Sequence, residues 1–222
     1  MEKAVYHKAE ARAPRHHDSV ATREAILQAA GRIFAEEGLE GARTDAIAAA
    51  AGVNKALLYY YFPSKQALYR TVLESYLADF NRRALGVLSS RGSARSVLLR
   101  YINLHFDFIA AHPHHGPLFQ RMLMAGEKSW VRLAREHGMP RWKALHSLLE
   151  RGMRTGEFRR SDSIHAAVSL VSLIVFYFSS APVLRAVGGI DPYAKANVER
   201  RRAEVLKFVR YALFKDPESE VP

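Results

Sequence analysis

Between Arg43 and Lys65 the chain gathers side chains suited to touching duplex nucleic acid rather than to breaking bonds. Lys55 can donate to the O6 and N7 acceptors of guanine, and Ala56 and Leu57 offer apolar contact to thymine methyl groups. Asn54 opens the same run, where a helix that enters the major groove presents its first residues to base edges. Tyr59 and Tyr60 carry hydroxyls able to reach phosphate oxygens, and Lys65 adds a cation. Thr44 can bring its hydroxyl and nearby backbone N–H groups to a phosphate, with the Arg43 guanidinium beside it. Asp45 runs against this pattern, because a carboxylate near DNA repels phosphate unless it accepts from cytosine N4 or caps a helix.

Catalysis has no comparable support. The chain contains no G-x-S-x-G, H-E-x-x-H, P-loop or dinucleotide-binding pattern, so neither a catalytic residue nor a cofactor is expected. Zero cysteines exclude disulfides, thiolate zinc sites, iron–sulfur clusters and a cysteine nucleophile. His112, His114 and His115 invite a metal reading. Three imidazoles so close in sequence beside prolines cannot easily converge on one ion, and no carboxylate pair accompanies them, so a solvated loop is expected and no metal.

The nucleic-acid side chains need a frame, and Ala48, Gly52 and Leu58 supply its outline. Two short helices that cross steeply need a small residue at their contact, positive φ in the turn, and an apolar residue facing back. Helices are predicted over about 44–51 and 54–62, the second stopping at Pro63. Before them, Ile26, Ala29, Ala30, Ile33 and Phe34 fall on one face of a helix, with Thr22 as its cap and Gly38 at its left-handed end. After them, Ser64 caps a long helix with Leu68, Val72, Leu73, Tyr76 and Leu77 on one side. The remaining predicted helices span roughly 94–111, 117–125, 128–155, 162–184 and 193–214, and alternating strands with hairpin turns are missing.

The ordered run Thr44-Asp45-Ala46-Ile47-Ala48, Ala51-Gly52-Val53-Asn54-Lys55 and Leu58-Tyr59-Tyr60-Tyr61-Phe62-Pro63-Ser64-Lys65, with Leu68 beyond, resembles the tetracycline-repressor (TetR/AcrR) family over about residues 22–75. Arg43 departs from the family pattern, where a hydroxyl residue commonly caps the second helix. The resemblance implies an all-α fold: an N-terminal three-helix helix-turn-helix DNA-binding domain, then a helical ligand-binding and dimerisation domain. The expected division is a mobile arm over 1–20, the DNA-binding domain over 21–66, the second domain over 67–215 and a tail over 216–222. The implied function is a sequence-specific transcriptional regulator, a ligand-released repressor that binds a palindromic operator as a homodimer. A helical small-molecule-binding protein or enzyme with a vestigial helix-turn-helix is the rival.

The second domain offers two candidate surfaces. Large soft side chains with sparse polar groups describe a pocket for a small-molecule effector, and equally a helical core. The candidates are Tyr101, His105, Phe108, Phe119, Met122, Trp142, His146 and Phe176. For a dimer interface built from the last two long helices, the candidates are Val168, Val171, Val175, Val198, Val205, Leu206, Val209 and Leu213.

Composition agrees without choosing. The chain has 222 residues, 49% hydrophobic and 25% charged, which fits a folded protein with a substantial core. Its net charge of +11 suggests an anionic partner. That excess does not sit on the proposed reading head: residues 1–70 hold ten basic and eight acidic side chains. The uncharged stretch from Ser163 to Leu184 is long enough to span a bilayer, but four serines, His165 and Pro182 interrupt it, so a buried helix is expected. No membrane association and a cytoplasmic, nucleoid-associated location follow as expectations.

Overall fold

The structure is a computed structural model that describes residues 16–114, 116–118, 120, 121 and 128–218. The described residues are almost wholly helical: α1 (His16–Gly41), α2 (Thr44–Ala50), α3 (Lys55–Tyr61), α4 (Lys65–Leu88), α5 (Ala94–Ala111), α6 (Lys128–Arg154), α7 (Ser163–Ser179), α8 (Ala181–Gly188) and α9 (Lys195–Leu213).

Most boundaries fall where local chemistry puts them. The Asn54, Ser64, Ser93 and Asp162 side chains each accept from a backbone N–H in the first turn of the helix that follows. Two expectations need correction. Thr22 does not start the first helix, which is already formed at His16, so residues 16–20 of the expected arm belong to α1. No Gly or Pro lies between His16 and Thr22 to stop it. The predicted helix over 162–184 is two helices, α7 and α8, bent by 61°. Pro182, in the first turn of α8, lacks an N–H and would clash with the carbonyl four residues earlier. Among the described residues no single helix is long and apolar enough to cross a membrane. Of the arm, residues 1–15 lie outside the described residues, as do His115, much of the predicted helix over 117–125, and 219–222 of the tail.

Two buried clusters organise the chain. The head cluster joins Ile26, Ala30 and Phe34 of α1 with Ile47, Ala48, Leu58, Phe62, Leu68 and Leu73. The body cluster joins Phe80, Leu98, Tyr101 and Phe106 to Leu145, Leu149, Ile174, Phe178, Val205 and Val209. Helix α4 runs through both, and Tyr76 packs against each. Leu118 and Leu133 lie in the head cluster, so the expected boundary at 66/67 is crossed by packing. At the far end, Phe158 and Phe214 pair as an isolated antiparallel bridge with stacked rings, tying the end of α9 to the segment after α6.

Candidate nucleic-acid interface

The turn between α2 and α3 closes by backbone geometry. Gly52 has φ +68°, its N–H donates to Ala49 O, and Val53 N–H donates to Ala48 O at 3.0 Å. This pair of bonds satisfies the last carbonyls of α2 and needs the left-handed residue that glycine supplies most easily. Ala48 and Leu58 are buried where the two helices meet, as their spacing implies.

The opposite face of α3 is open. Asn54, Lys55, Ala56, Tyr59 and Tyr60 are exposed and Leu57 is half-buried. Tyr60 stands out at 78% exposure. Asn54 has a double role: its Oδ1 accepts from Leu57 N–H at 2.8 Å, which leaves its NH2 group as the part that can reach outward. Arg43 is exposed and takes the N-cap position of α2 without a side-chain cap bond. Thr44 is the first residue of α2, and its Oγ1 accepts from the Tyr59 hydroxyl at 3.4 Å. Asp45 faces Lys55, with Nζ 3.0 Å from the carboxylate. Lys65 is committed inward: its ammonium donates to the carbonyls of Glu40 and Ala42 at 3.1 and 3.2 Å, where α1 ends. Spacing alone did not reveal these last two contacts, because each joins residues on different helices.

The body places the effector candidates unevenly. Tyr101, His105 and Phe108 are buried side by side on α5, and Trp142 and His146 are half-buried on α6. Burial, and next the charge of Arg141, hold the His105 imidazole down at about 3, so it is neutral at ordinary pH. Burial likewise pushes the Tyr76 hydroxyl up. Phe176 is excluded from such a pocket: it is 74% exposed, since α7 buries Ala167, Leu170, Ile174 and Phe178 on the opposite face. Phe119 and Met122 lie outside the described residues. Two polar residues were missed, Asn81 and Arg141, which are bonded to each other. For Asn81 a signal existed, as it continues the buried row Leu77, Ala84 and Leu88 of α4.

The interface candidates also divide. Val198, Val205 and Val209 are buried in the protomer's own core, and Val171, Val175, Leu206 and Leu213 are half-buried against it. The valines of α9 lie on its inward face, flanked there by Leu206 and Leu213. Val168 is exposed, and the remaining outward apolar groups are Ile164 and Phe176 of α7 with Phe208 and Tyr211 of α9.

A short helix pair with a buried small–apolar contact and an open second helix, mounted on a helical body, defines a helix-turn-helix DNA-binding regulator. Residues 26–72 match the tetR family of bacterial regulatory proteins, and residues 95–209 match the tetracyclin repressor-like C-terminal domain. The chain belongs to the TetR family and is a sequence-specific DNA-binding transcriptional regulator. It is 30% identical over 185 residues to the HTH-type transcriptional repressor NicS of Pseudomonas putida, covering 79% of this chain and 86% of the relative. It is 31% identical over 173 residues to the regulator RutR of Escherichia coli K12, covering 76% and 79%. Two solved structures share the fold: a transcriptional regulator of Saccharomonospora viridis in complex with choline, and FadR of Bacillus subtilis in complex with stearoyl-CoA. Their TM-scores are 0.70 and 0.65 at 19% and 20% identity. They cover 88% and 82% of this chain and 99% and 96% of their own.

Proposed function

We propose that the protein is a repressor that binds a palindromic operator as a homodimer and is released by a small-molecule effector. The observation that carries the DNA-reading part is the division of α3, with Leu58 buried and Lys55, Ala56, Tyr59 and Tyr60 facing out. Lys55 and Ala56 read bases, Leu57 flanks them, and Arg43, Thr44, Tyr59 and Tyr60 hold phosphates. Two copies of α3 read two half-sites about one helical turn apart, about 34 Å. The second copy sits on the outward apolar face of Val168, Phe176, Phe208 and Tyr211, where α7 and α9 lie side by side. An exposed apolar cluster of this kind is favourable to cover. The effector enters the body, and α4, shared by both cores, carries its effect to the head. The repressor name of a 30%-identical relative and the choline and stearoyl-CoA complexes of two structural neighbours support this reading.

Selection of bound fragments from random duplex DNA, followed by mobility shift across salt concentrations, tests it. The expected result is an inverted repeat, bound with a log–log salt slope near −7 if each dimer makes about eight phosphate contacts. Equal affinity for enriched and scrambled duplexes overturns it.

A further inference from the structure

Arg141 lies in the middle of α6, half-buried, and no carboxylate pairs with it among the described residues. Its Nε donates to Asn81 Oδ1 at 2.8 Å and one terminal nitrogen donates to the Tyr101 hydroxyl at 3.0 Å. Its guanidinium lies 5.0 Å from the centroid of the Phe80 ring. Acids on the surrounding helices are engaged elsewhere: Asp79 with Arg82 and Arg83, Asp107 with Arg202, and Glu150 with Ser163.

The groups around this cation are themselves incomplete. Asn81 is 6% exposed and His105 is 4% exposed, yet Asn81 Nδ2 and His105 Nδ1 have no hydrogen-bond partner among the described residues. Buried polar atoms are nearly always paired, and each one left unmade carries its full desolvation penalty. Here the two groups meet around one ring: His105 stacks on Phe80 at 4.5 Å, and Arg141, bonded to Asn81, covers the same ring. From Phe80 the aromatic contacts lead outward through Phe108 to Tyr76 and His112. Those three residues line a groove of about 1000 Å³ between α1, α4 and α5.

We propose that the effector is a small carboxylate bearing a flat ring, its carboxylate held by Arg141 and Asn81 and its ring packed against the Phe80–His105 ring pair. A guanidinium fork and one amide NH2 match the oxygens of a monoanion. The ring replaces water against an aromatic wall. A carboxylate on Arg141 competes with Asn81 Oδ1 for the same N–H groups, so its arrival loosens the bond between α6 and α4. This proposal rests on the ligand-released reading above and gives that ligand a chemical class.

Calorimetric titration of the full chain with benzoate, phenylacetate and indole-3-acetate, each beside its primary amide, tests it, with phenyl phosphate as a further arm. At least one carboxylate is expected to bind at least about tenfold more tightly than its amide. R141M should erase that preference, weakening the carboxylate by about 30-fold. R141K keeps a point charge without the fork, should recover part of the preference, and carries the test if R141M does not fold. The idea is overturned if no carboxylate exceeds its amide, if the preference survives in R141M, or if phenyl phosphate binds more tightly than every carboxylate. Operator binding by the unliganded protein is measured in the same samples. Its presence without any carboxylate preference sinks the effector class alone, and its loss in the wild type sinks the regulator reading itself.

Discussion

Asp45 and Lys55 face each other across the helix-turn-helix, the ammonium 3.0 Å from the carboxylate, with both side chains at least half exposed. An ion pair so open to water adds little to stability, so its effect is positional. It holds Lys55 at the first turn of α3 and offsets its charge until DNA arrives. Asp45→Ala is therefore expected to raise affinity for any duplex by about threefold to tenfold while lowering discrimination, because it removes a charge that phosphates repel. Lys55→Ala should cost about 1–3 kcal/mol on the preferred site and less on scrambled DNA. Mobility shift on both duplexes reads the two effects. Weaker binding of the preferred site by Asp45→Ala would instead assign that carboxylate to a base.

Lys65 works differently. Its ammonium closes the end of α1 through Glu40 and Ala42 while Ser64 caps α4, so it staples two helices of the head. Lys65→Ala should lower stability by about 1 kcal/mol, or about 2–4 °C in Tm for a chain of this size. It should also weaken preferred and scrambled duplexes alike, since it disturbs the frame and not the reading surface. Differential scanning calorimetry beside the binding assay checks both, and an unchanged Tm with lost affinity would make Lys65 a plain phosphate contact.

These contacts mark where sequence reading stopped. Local signals carried the head far: the Gly52 turn, the Ser64 cap and the stop before Pro63 are each decided within a few residues, and each stands as expected, while the Asn54 cap is added by the structure. The body was legible as helices but not as faces. Val205 and Val209 look the same in sequence whether their stripe meets the protomer's own core or a second copy, and only the packing of α9 on α5 and α7 turns it inward. Phe176 failed as a pocket residue for the same reason, because α7 is apolar around most of its circumference. The Arg141–Asn81 bond spans 60 residues, and no periodicity encodes it.

His105 gives the protein an acid-sensitive core. An unfolded histidine titrates at about 6.5, whereas burial, with the Arg141 charge second, holds the folded one at about 3. Between those values the unfolded chain binds a proton that the folded chain does not. The stabilisation is thus fully present above pH 6.5 and is lost as pH falls, by up to about 1.4 kcal/mol per pH unit. Between pH 7.5 and 5 the wild type should lose about 2 kcal/mol more than His105→Gln in urea denaturation. Parallel pH profiles for the two proteins would show that His105 takes up its proton without unfolding.

Phe176 and Val205 separate assembly from folding. Phe176 is 74% exposed on α7, and Val205 is 1% exposed beneath α9. Phe176→Glu places a charge on the outward face and removes nothing from the core. It should leave helicity and monomer stability within about 0.5 kcal/mol of wild type while converting dimers to monomers. Val205→Ala should cost about 2 kcal/mol of stability by leaving a cavity, with the outward face unaltered. Light scattering coupled to size exclusion measures the first and chemical denaturation the second. Dimers that persist in Phe176→Glu and in the matching Phe208→Glu would move the interface off the α7–α9 face, and the second copy would have to sit elsewhere on the body.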